Sequence, residues 1–408
     1  MAKKRNIIVG QSGGPTAVIN SSLAGVYKNA IERGFDKVYG MLHGIQGLLD
    51  EQYIDLSTQI HSELDIELLK RTPSAFLGSC RYKLPEIHED KAIYEKIFEI
   101  LNKLDIYAFI YIGGNDSMDT IKKLSDYAIL TGQTQKFLGV PKTIDNDLAL
   151  TDHTPGFGSA AKYIGTTFAE LERDCYVYAT KAVTIVEVMG RDAGWLTAAS
   201  CLARANGAKG PDFIYLCEVP FSIDTFLKDV KAKLEEQDAV IIAVSEGVKN
   251  KDGRYISEEV QSSAVDSFGH SYIAGAAKVL EDAVRNEIGC KVRSIELNLM
   301  QRCAAHLASA ADIQESRMLG KTACQYALGG ATGMMAAVIR TSDKPYATEF
   351  KALPVCDIAN AIKSVPADYI NDAGNDVTEK MVDYLTPLIQ GEMNTVYENG
   401  IPKYLYLY

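Results

Sequence analysis

The stretch "FLGVPKTIDND" (residues 137–147) decides the fold. Its first four residues are apolar without polar alternation, as expected of a short strand covered on both faces. Such strands belong in parallel sheets sandwiched between helices. Within seven residues of Val140 the chain then places Lys142, Asp145, Asn146 and Asp147. In sheets of this kind ligand groups collect at the carboxyl ends of strands, so charge of both signs in this corner reads as a site. A solvated turn would explain acids beside an asparagine, but it would not require the same arrangement elsewhere.

The arrangement does recur. "NIIVG" (6–10), "YAFIYIGG" (107–114), "AVTIVEVMG" (182–190), "DFIYLCEV" (212–219) and "AVIIAVSEG" (239–247) are further β-rich apolar runs separated by segments of helical period. The pattern predicts an α/β protein with parallel sheets flanked by helices. At 408 residues two domains are expected rather than one. No low-complexity linker separates them, and "TPGFG" (154–158), just before a helical stretch from Ser159 to Arg173, is the best candidate for a crossover.

A net charge of −11 argues against a general nucleic-acid or anionic-membrane binder, so a pocket for an anionic ligand must be built from clustered Arg and Lys. The eight cysteines form no CxxC pair and no charged-then-apolar leader precedes them, which points to a reducing cytoplasm. No apolar run reaches membrane-span length. No two of the six histidines are spaced for a shared zinc.

Two other corners resemble the first. "IIVGQSGGPTAVIN" (7–20) is a strand, a glycine-rich turn and a helix start. It is equally a phosphate cradle or a tight βα turn, and it matches neither GxGxxG nor GxxxxGK[ST]. In "YIGGNDSMDT" (111–120) two glycines precede Asn115 and Asp116. Asp116 or Ser117 can cap the following helix, but the glycine pair suggests close approach by a ligand, with Asn115 and Asp116 as partners of a magnesium ion or its waters. In the opening corner Asp145 can accept a proton from an attacking hydroxyl, Asp147 can bind magnesium or orient its neighbour, and Lys142 can neutralise a phosphate.

Read together, these segments resemble the phosphofructokinase family, with "TIDND" (143–147) the most specific motif. "FLGSCRY" (76–82), "TPGFGSAAKY" (154–163), "VEVMGRDAGWLTAAS" (186–200), "CEVPF" (217–221) and "KVRSIELNLMQR" (291–302) follow in the family's order. The resemblance implies a phosphofructokinase-like fold of two Rossmann-like three-layer domains with mainly parallel sheets. Residues 1–156 plus roughly 301–375 would bind the donor, and residues 157–300 plus roughly 376–408 would bind fructose 6-phosphate. It further implies a cytoplasmic, magnesium-requiring transfer of phosphoryl to the 1-hydroxyl of fructose 6-phosphate in glycolysis and gluconeogenesis, by a homo-oligomer, dimer or tetramer.

Residue by residue, the resemblance makes Asp145 the catalytic base and associates Thr143 and Asp147 with the reacting phosphate and metal. Gly14 and Arg81 fall at donor contacts. Met189, Gly190 and Arg191 match the loop over the sugar, Glu218 the acid on its hydroxyls, and Arg293 and Arg302 the 6-phosphate clamp. Arginine forks suit a phosphate dianion. ATP-using members carry glycine at the position of Asp116 and usually at that of Lys142, whereas pyrophosphate-using members resemble this chain at both. A carboxylate there repels the α-phosphate of a nucleotide, and Lys142 adds charge for a compact donor.

Pyrophosphate is therefore the expected donor, and the reaction readily reversible. Alternatives are an ATP-dependent phosphofructokinase with Asp116 turned away, and a non-catalytic subunit that binds sugar phosphate. The chain departs from the family at Asn115, often an acid, at Leu299, a histidine in ATP-type members, and around Lys181-Ala182, where an arginine often crosses a subunit boundary. Trp195 is expected to serve packing, His306 to be capped or solvent-facing rather than beside the clamp, and "KLEEQD" (233–238) to be a solvated helix end.

Overall fold

The strands fall into two principal sheets. The structure, a computed structural model, is described over residues 5–259, 275–358 and 361–407. Residues 1–4, 260–274, 359–360 and 408, which fall in the ranges expected for the two domains, lie outside the described residues. In chain order the strands are β1 (Asn6–Gln11), β2 (Val38–Met41), β3 (Tyr53–Asp55), β4 (Ile106–Gly113), β5 (Lys136–Pro141), β6 (Ala182–Val188), β7 (Phe213–Tyr215), β8 (Ala239–Ser245), β9 (Lys291–Glu296), β10 (Met334–Asp343) and β11 (Tyr346–Pro354). The first sheet has the order β11-β10-β5-β4-β1-β2-β3 and the second β7-β8-β6-β9. Within these two sheets pairing is parallel, except for the antiparallel edges β10–β11 and β2–β3; a separate short pair, Tyr397–Glu398 with Ile401–Pro402, is antiparallel.

Apolar residues on both faces of each strand produce the layers. From β4, Ala108, Ile110 and Ile112 pack with helices 19–32 and 310–328 through Leu23, Val26, Leu319 and Ala323. Phe109 and Tyr111 face the other way, onto Ile97 and Phe98 of helix 91–103 and Met118 and Leu124 of helix 115–131. The second sheet repeats the plan. Val186, Val188, Ile241 and Ala243 meet Phe157, Ala161, Ile164 and Phe168 of helix 157–175. Val183, Ile185, Val240 and Ile242 meet Phe226 and Val230 of helix 223–236 and Leu280 and Val284 of helix 276–287. Each fully buried large side chain contributes roughly 1.5–3 kcal/mol, so both sheets are secured on both faces. This is the expected α/β architecture of two three-layer bodies.

After β5 the chain passes into the second sheet through helix 157–175. That helix begins at Phe157, two residues earlier than its sequence suggests, after Gly156 at φ 104°. Its N-cap residue, a glycine, offers no side-chain cap. Asp312, from helix 310–328, supplies one, accepting from Gly156 N at 3.0 Å and Ser159 N at 2.8 Å. Beyond β9 the chain returns, and β10 pairs with β5. Near the C-terminus Met381, Tyr384, Leu385 and Leu388 pack against the helix 157–175 face of the second sheet.

Trp195 is buried, its ring 5.1 Å from that of Tyr384. His306 is exposed, and in the charge run 233–238 Glu235, Glu236 and Asp238 face solvent.

Candidate active site

The carboxyl ends of β1, β4 and β5 bring three sequence-distant corners together. At the first, Ser12 N donates to Ile112 O and Gly13 N to Cys80 O, each at 3.0 Å. Gly13 sits at φ 75°, a conformation that favours glycine. The turn 76–82 is braced on the same corner: Phe76 N donates to Asn20 Oδ1 and Leu77 N to Gln11 Oε1, both at 2.9 Å, and Ser79 Oγ to Gly13 O at 2.6 Å. This bracing aims Arg81 at the corner.

At the second corner the helix starts at Asn115, with neither Asp116 nor Ser117 capping it. Ser117 Oγ instead pairs with Ser12 Oγ at 2.6 Å. A Cβ on Gly113 would fall 1.9 Å from Ser117 Oγ, so that glycine is needed for strand-to-helix packing rather than for a ligand. Asp116, in the same turn, lines the cleft.

At the third corner Lys142 N donates to Gly113 O at 3.0 Å and its ammonium reaches Gly14 O at 2.5 Å. Thr143 Oγ1 accepts from Asp145 N at 3.1 Å, and the Thr143 carbonyl accepts from Thr154 Oγ1 at 2.8 Å. Asn146 takes a left-handed backbone, φ 54°, which lets the chain reverse between the two aspartates.

The second sheet closes the far wall. Beyond β6, Gly190 lies at φ 131° and donates its N–H to Glu246 Oε1 at 3.1 Å, while its carbonyl accepts from Ser245 Oγ at 2.7 Å. Glu246 is the first residue past β8.

The result is a cleft of about 450 Å³, ample for two small anionic substrates. Of the residues singled out in the sequence, Gly14, Arg81, Asn115, Asp116, Lys142, Thr143, Asp145, Asp147, Met189, Arg191 and Arg302 line it. Gly190 contributes its backbone to the loop without lining the cleft.

Two of the residues singled out, Glu218 and Arg293, lie outside this cleft. Glu218 does not line the cleft; its Oε1 accepts from Gly194 N at 2.8 Å and Val365 N at 2.9 Å, so it pins backbone. Arg293 is exposed near the amino end of β9, opposite Thr184, beside Lys291 and Tyr178. The cleft lies at the other end of that sheet. Conversely, Ser12, Gly13, Asp192 and Glu246 line the cleft without having been singled out. Glu246 was findable: "AVIIAVSEG" ends in an acid by the same strand-end rule that marked Asp145.

Burial and like charge shape the electrostatics. Burial raises the pKa of Asp145 above the usual carboxylate range, although Lys142 and Arg191 pull it back. Burial and the neighbouring Asp145 push Asp147 up to about 7. Burial, with Asp145 nearby, lifts Glu246 to about 7. Burial likewise lowers Lys142 to about 8, Asp145 opposing and Arg302 adding to the shift. Arg302 is lowered by burial and by Arg81. The Nε of Arg191 is buried with no hydrogen-bond partner among the described residues. Cations drawn together against their own repulsion, one with an unsatisfied donor, favour a polyanion.

Among the described residues no group of three or more His, Cys, Asp or Glu is placed to hold a metal by itself. Magnesium asks less of a protein, one or two carboxylates with substrate phosphates and waters completing its shell. Asp116 on the cleft wall and the oxygen of Asn115, whose Nδ2 donates to Ala361 O at 3.0 Å, fit that demand.

Fold and site together define an α/β protein of two principal sheets whose cleft gathers cationic side chains beside buried carboxylates. The chain belongs to the phosphofructokinase family: residues 6–327 match the family described as Phosphofructokinase. It is 40% identical to the pyrophosphate--fructose 6-phosphate 1-phosphotransferase of Xanthomonas campestris pv. campestris (strain B100), over 98% of this chain and 96% of that protein. Among solved structures it is similar to pyrophosphate-dependent phosphofructokinases from Marinobacter aquaeolei (TM-score 0.87, 36% identical, covering 98% and 95% of the two chains) and Nitrosospira multiformis (0.88, 35%, 98% and 96%).

Proposed function

We propose that this protein transfers a phosphoryl group from pyrophosphate to the 1-hydroxyl of fructose 6-phosphate, giving fructose 1,6-bisphosphate and phosphate. The observation that carries the reading is the convergence of Asp145 with Lys142, Arg81, Arg302 and Arg191 in one cleft, in a family whose full-length relatives at about 40% identity bear that activity in their names.

The sugar 1-oxygen attacks the near phosphorus of pyrophosphate in line. An oxygen–phosphorus bond forms, the bridging phosphorus–oxygen bond breaks, and orthophosphate leaves. Asp145 accepts the hydroxyl proton, and its burial brings its basicity towards what that task needs. Thr143 fixes the Asp145 backbone. Lys142, Arg81 and Arg191 hold the anionic oxygens where charge is spread in the transition state. Arg302 and Met189 face the sugar phosphate, with Glu246 in place of Glu218 as the acid for sugar hydroxyls. Asp116 and Asn115 would hold magnesium, which supplies neutralisation of the diphosphate charge when bound.

The first-sheet body serves as the donor side and the second-sheet body as the sugar side. A homo-oligomer is part of the reading, since exposed Arg293 can join a 6-phosphate clamp only when a second copy presents it. A reducing cytoplasm agrees with eight free thiols, and no helix among the described residues is long and apolar enough to cross a membrane.

The test is a donor swap. Purified protein with fructose 6-phosphate and magnesium should release phosphate with pyrophosphate and not turn over with ATP; turnover with ATP alone rejects the donor.

A further inference from the structure

We propose that Lys363 is a positioning residue for phosphoryl transfer, its ammonium holding the Asp145-Asn146-Asp147 corner in the geometry that presents Asp145 to the sugar hydroxyl. This rests on the pyrophosphate-dependent reading of the cleft.

Asn146 lies between the proposed base and its acidic neighbour with its backbone left-handed. For a residue other than glycine that costs on the order of 1 kcal/mol and persists only where surroundings enforce it. Both ends of the Asn146 amide are held: Oδ1 accepts from Lys363 Nζ at 3.1 Å, and Nδ2 donates to Tyr384 Oη at 2.8 Å. Lys363 Nζ also donates to the carbonyls of Thr151 at 3.1 Å and Asp152 at 2.8 Å. The ammonium therefore ties the asparagine to the segment that leaves the corner, and all three acceptors are neutral.

The backbone of Lys363 adds a second hold. Its N–H donates to Asp147 O at 2.8 Å, beside an antiparallel bridge between Leu148 and Ile362. Its carbonyl accepts from Trp195 Nε1 at 2.8 Å. Neighbouring residues extend the strap: Ala361 O accepts from Asn115, and Val365 N donates to Glu218. Residues 361–365 thus touch the donor corner, the catalytic corner and, through Trp195 and Glu218, the sugar-side body in sequence. A side chain serving only to fill space here would not need three donors, whereas a misplacement of about 1 Å at a base can cost about 100-fold in rate.

Lys363→Met keeps the length of the side chain and removes its donors. With wild-type turnover of pyrophosphate established first, the variant should lose about 100-fold in kcat while KM for both substrates stays within about threefold and the melting temperature within a few degrees. Retention of kcat within threefold overturns the inference and leaves the reading of the cleft intact. A parallel collapse of kcat, KM and melting temperature shows a merely structural role and also overturns it. A wild type inert with pyrophosphate removes the reading, and the inference with it.

Should Lys363→Met not fold, Asn146→Gly decides. Glycine accepts the left-handed backbone freely but offers Lys363 no amide, so kcat should fall at least tenfold at unchanged KM, and an unchanged kcat overturns the proposal.

Discussion

The ammonium of Lys142 lies 2.5 Å from the carbonyl oxygen of Gly14, joining corners separated by 128 residues of chain. The lysine is buried, and its pKa is lowered to about 8, so its charge is held with less compensation than a surface lysine enjoys. An incoming diphosphate offers this ammonium a far better partner than a neutral carbonyl. The lysine side chain also fills space over the glycine turn, its Nζ 3.2 Å from where a Cβ on Gly13 would stand.

Donor choice follows from that filling and from Asp116. The double variant Asp116→Gly with Lys142→Gly should lose at least about 100-fold in kcat/KM for pyrophosphate and gain measurable turnover with ATP, because like-charge contact in such a site costs several kcal/mol. An unchanged ratio of the two donors in a coupled phosphate-release assay would contradict the charge and space argument.

Replacing Asp145 separates chemistry from binding. Asp145→Ser should reduce kcat by about 100- to 10,000-fold while calorimetric affinity for fructose 6-phosphate changes by less than about threefold. Equal loss of both would show that the carboxylate binds the sugar and is not the base.

The two glutamates at the sugar side separate in a different way. Glu246→Gln should raise KM for fructose 6-phosphate about tenfold or more with little change in melting temperature, since this acid faces the cleft. Glu218→Gln should lower the melting temperature and leave KM nearly unaltered, since its carboxylate serves the N–H groups of Gly194 and Val365. The reverse pattern would restore Glu218 to the sugar site.

A pH effect on stability is expected away from the cleft. His153 is buried between Asp152 at 2.7 Å and Glu315 at 2.6 Å. Burial opposes its charge, but the two carboxylates prevail and raise its pKa to about 9. A histidine raised above its unfolded value of about 6.5 stabilises fully below that value, and the contribution is lost as pH rises through 9. Thermal melts should therefore fall between pH 7 and 10, and His153→Gln should flatten that fall; the same slope in both proteins would exclude His153 as its source.

Much of this molecule was legible in its residues. The uniformly apolar runs at β1, β4, β5, β6 and β8 announced covered parallel strands, and the acids after β5 announced the cleft. Strands β2, β3, β9, β10 and β11 were not announced. The first two are 4 and 3 residues long, too short for a periodic signal. In β11 burial alternates over most of its length, as suits an edge exposed on one side. That Glu218 and Arg293 lie outside the cleft of this chain was not legible, because a motif in register with a family does not reveal which way a side chain points. Glu218 turned to unpaired backbone N–H groups, a demand that appears only after folding. The strap at 361–365 was invisible for the same reason, since its partners come from four distant segments.

The return of β10 to the flank of β5 has a consequence for synthesis. A ribosome releases residues 5–141 long before residues 334–354, so the nascent chain holds an open hydrogen-bonding edge at Lys136–Pro141 while the whole second sheet is being made. At about 5–20 residues per second that exposure lasts on the order of ten seconds or more. An unpaired strand edge invites intermolecular pairing, so chains truncated before residue 334 should clump, and chaperone protection matters most during that interval.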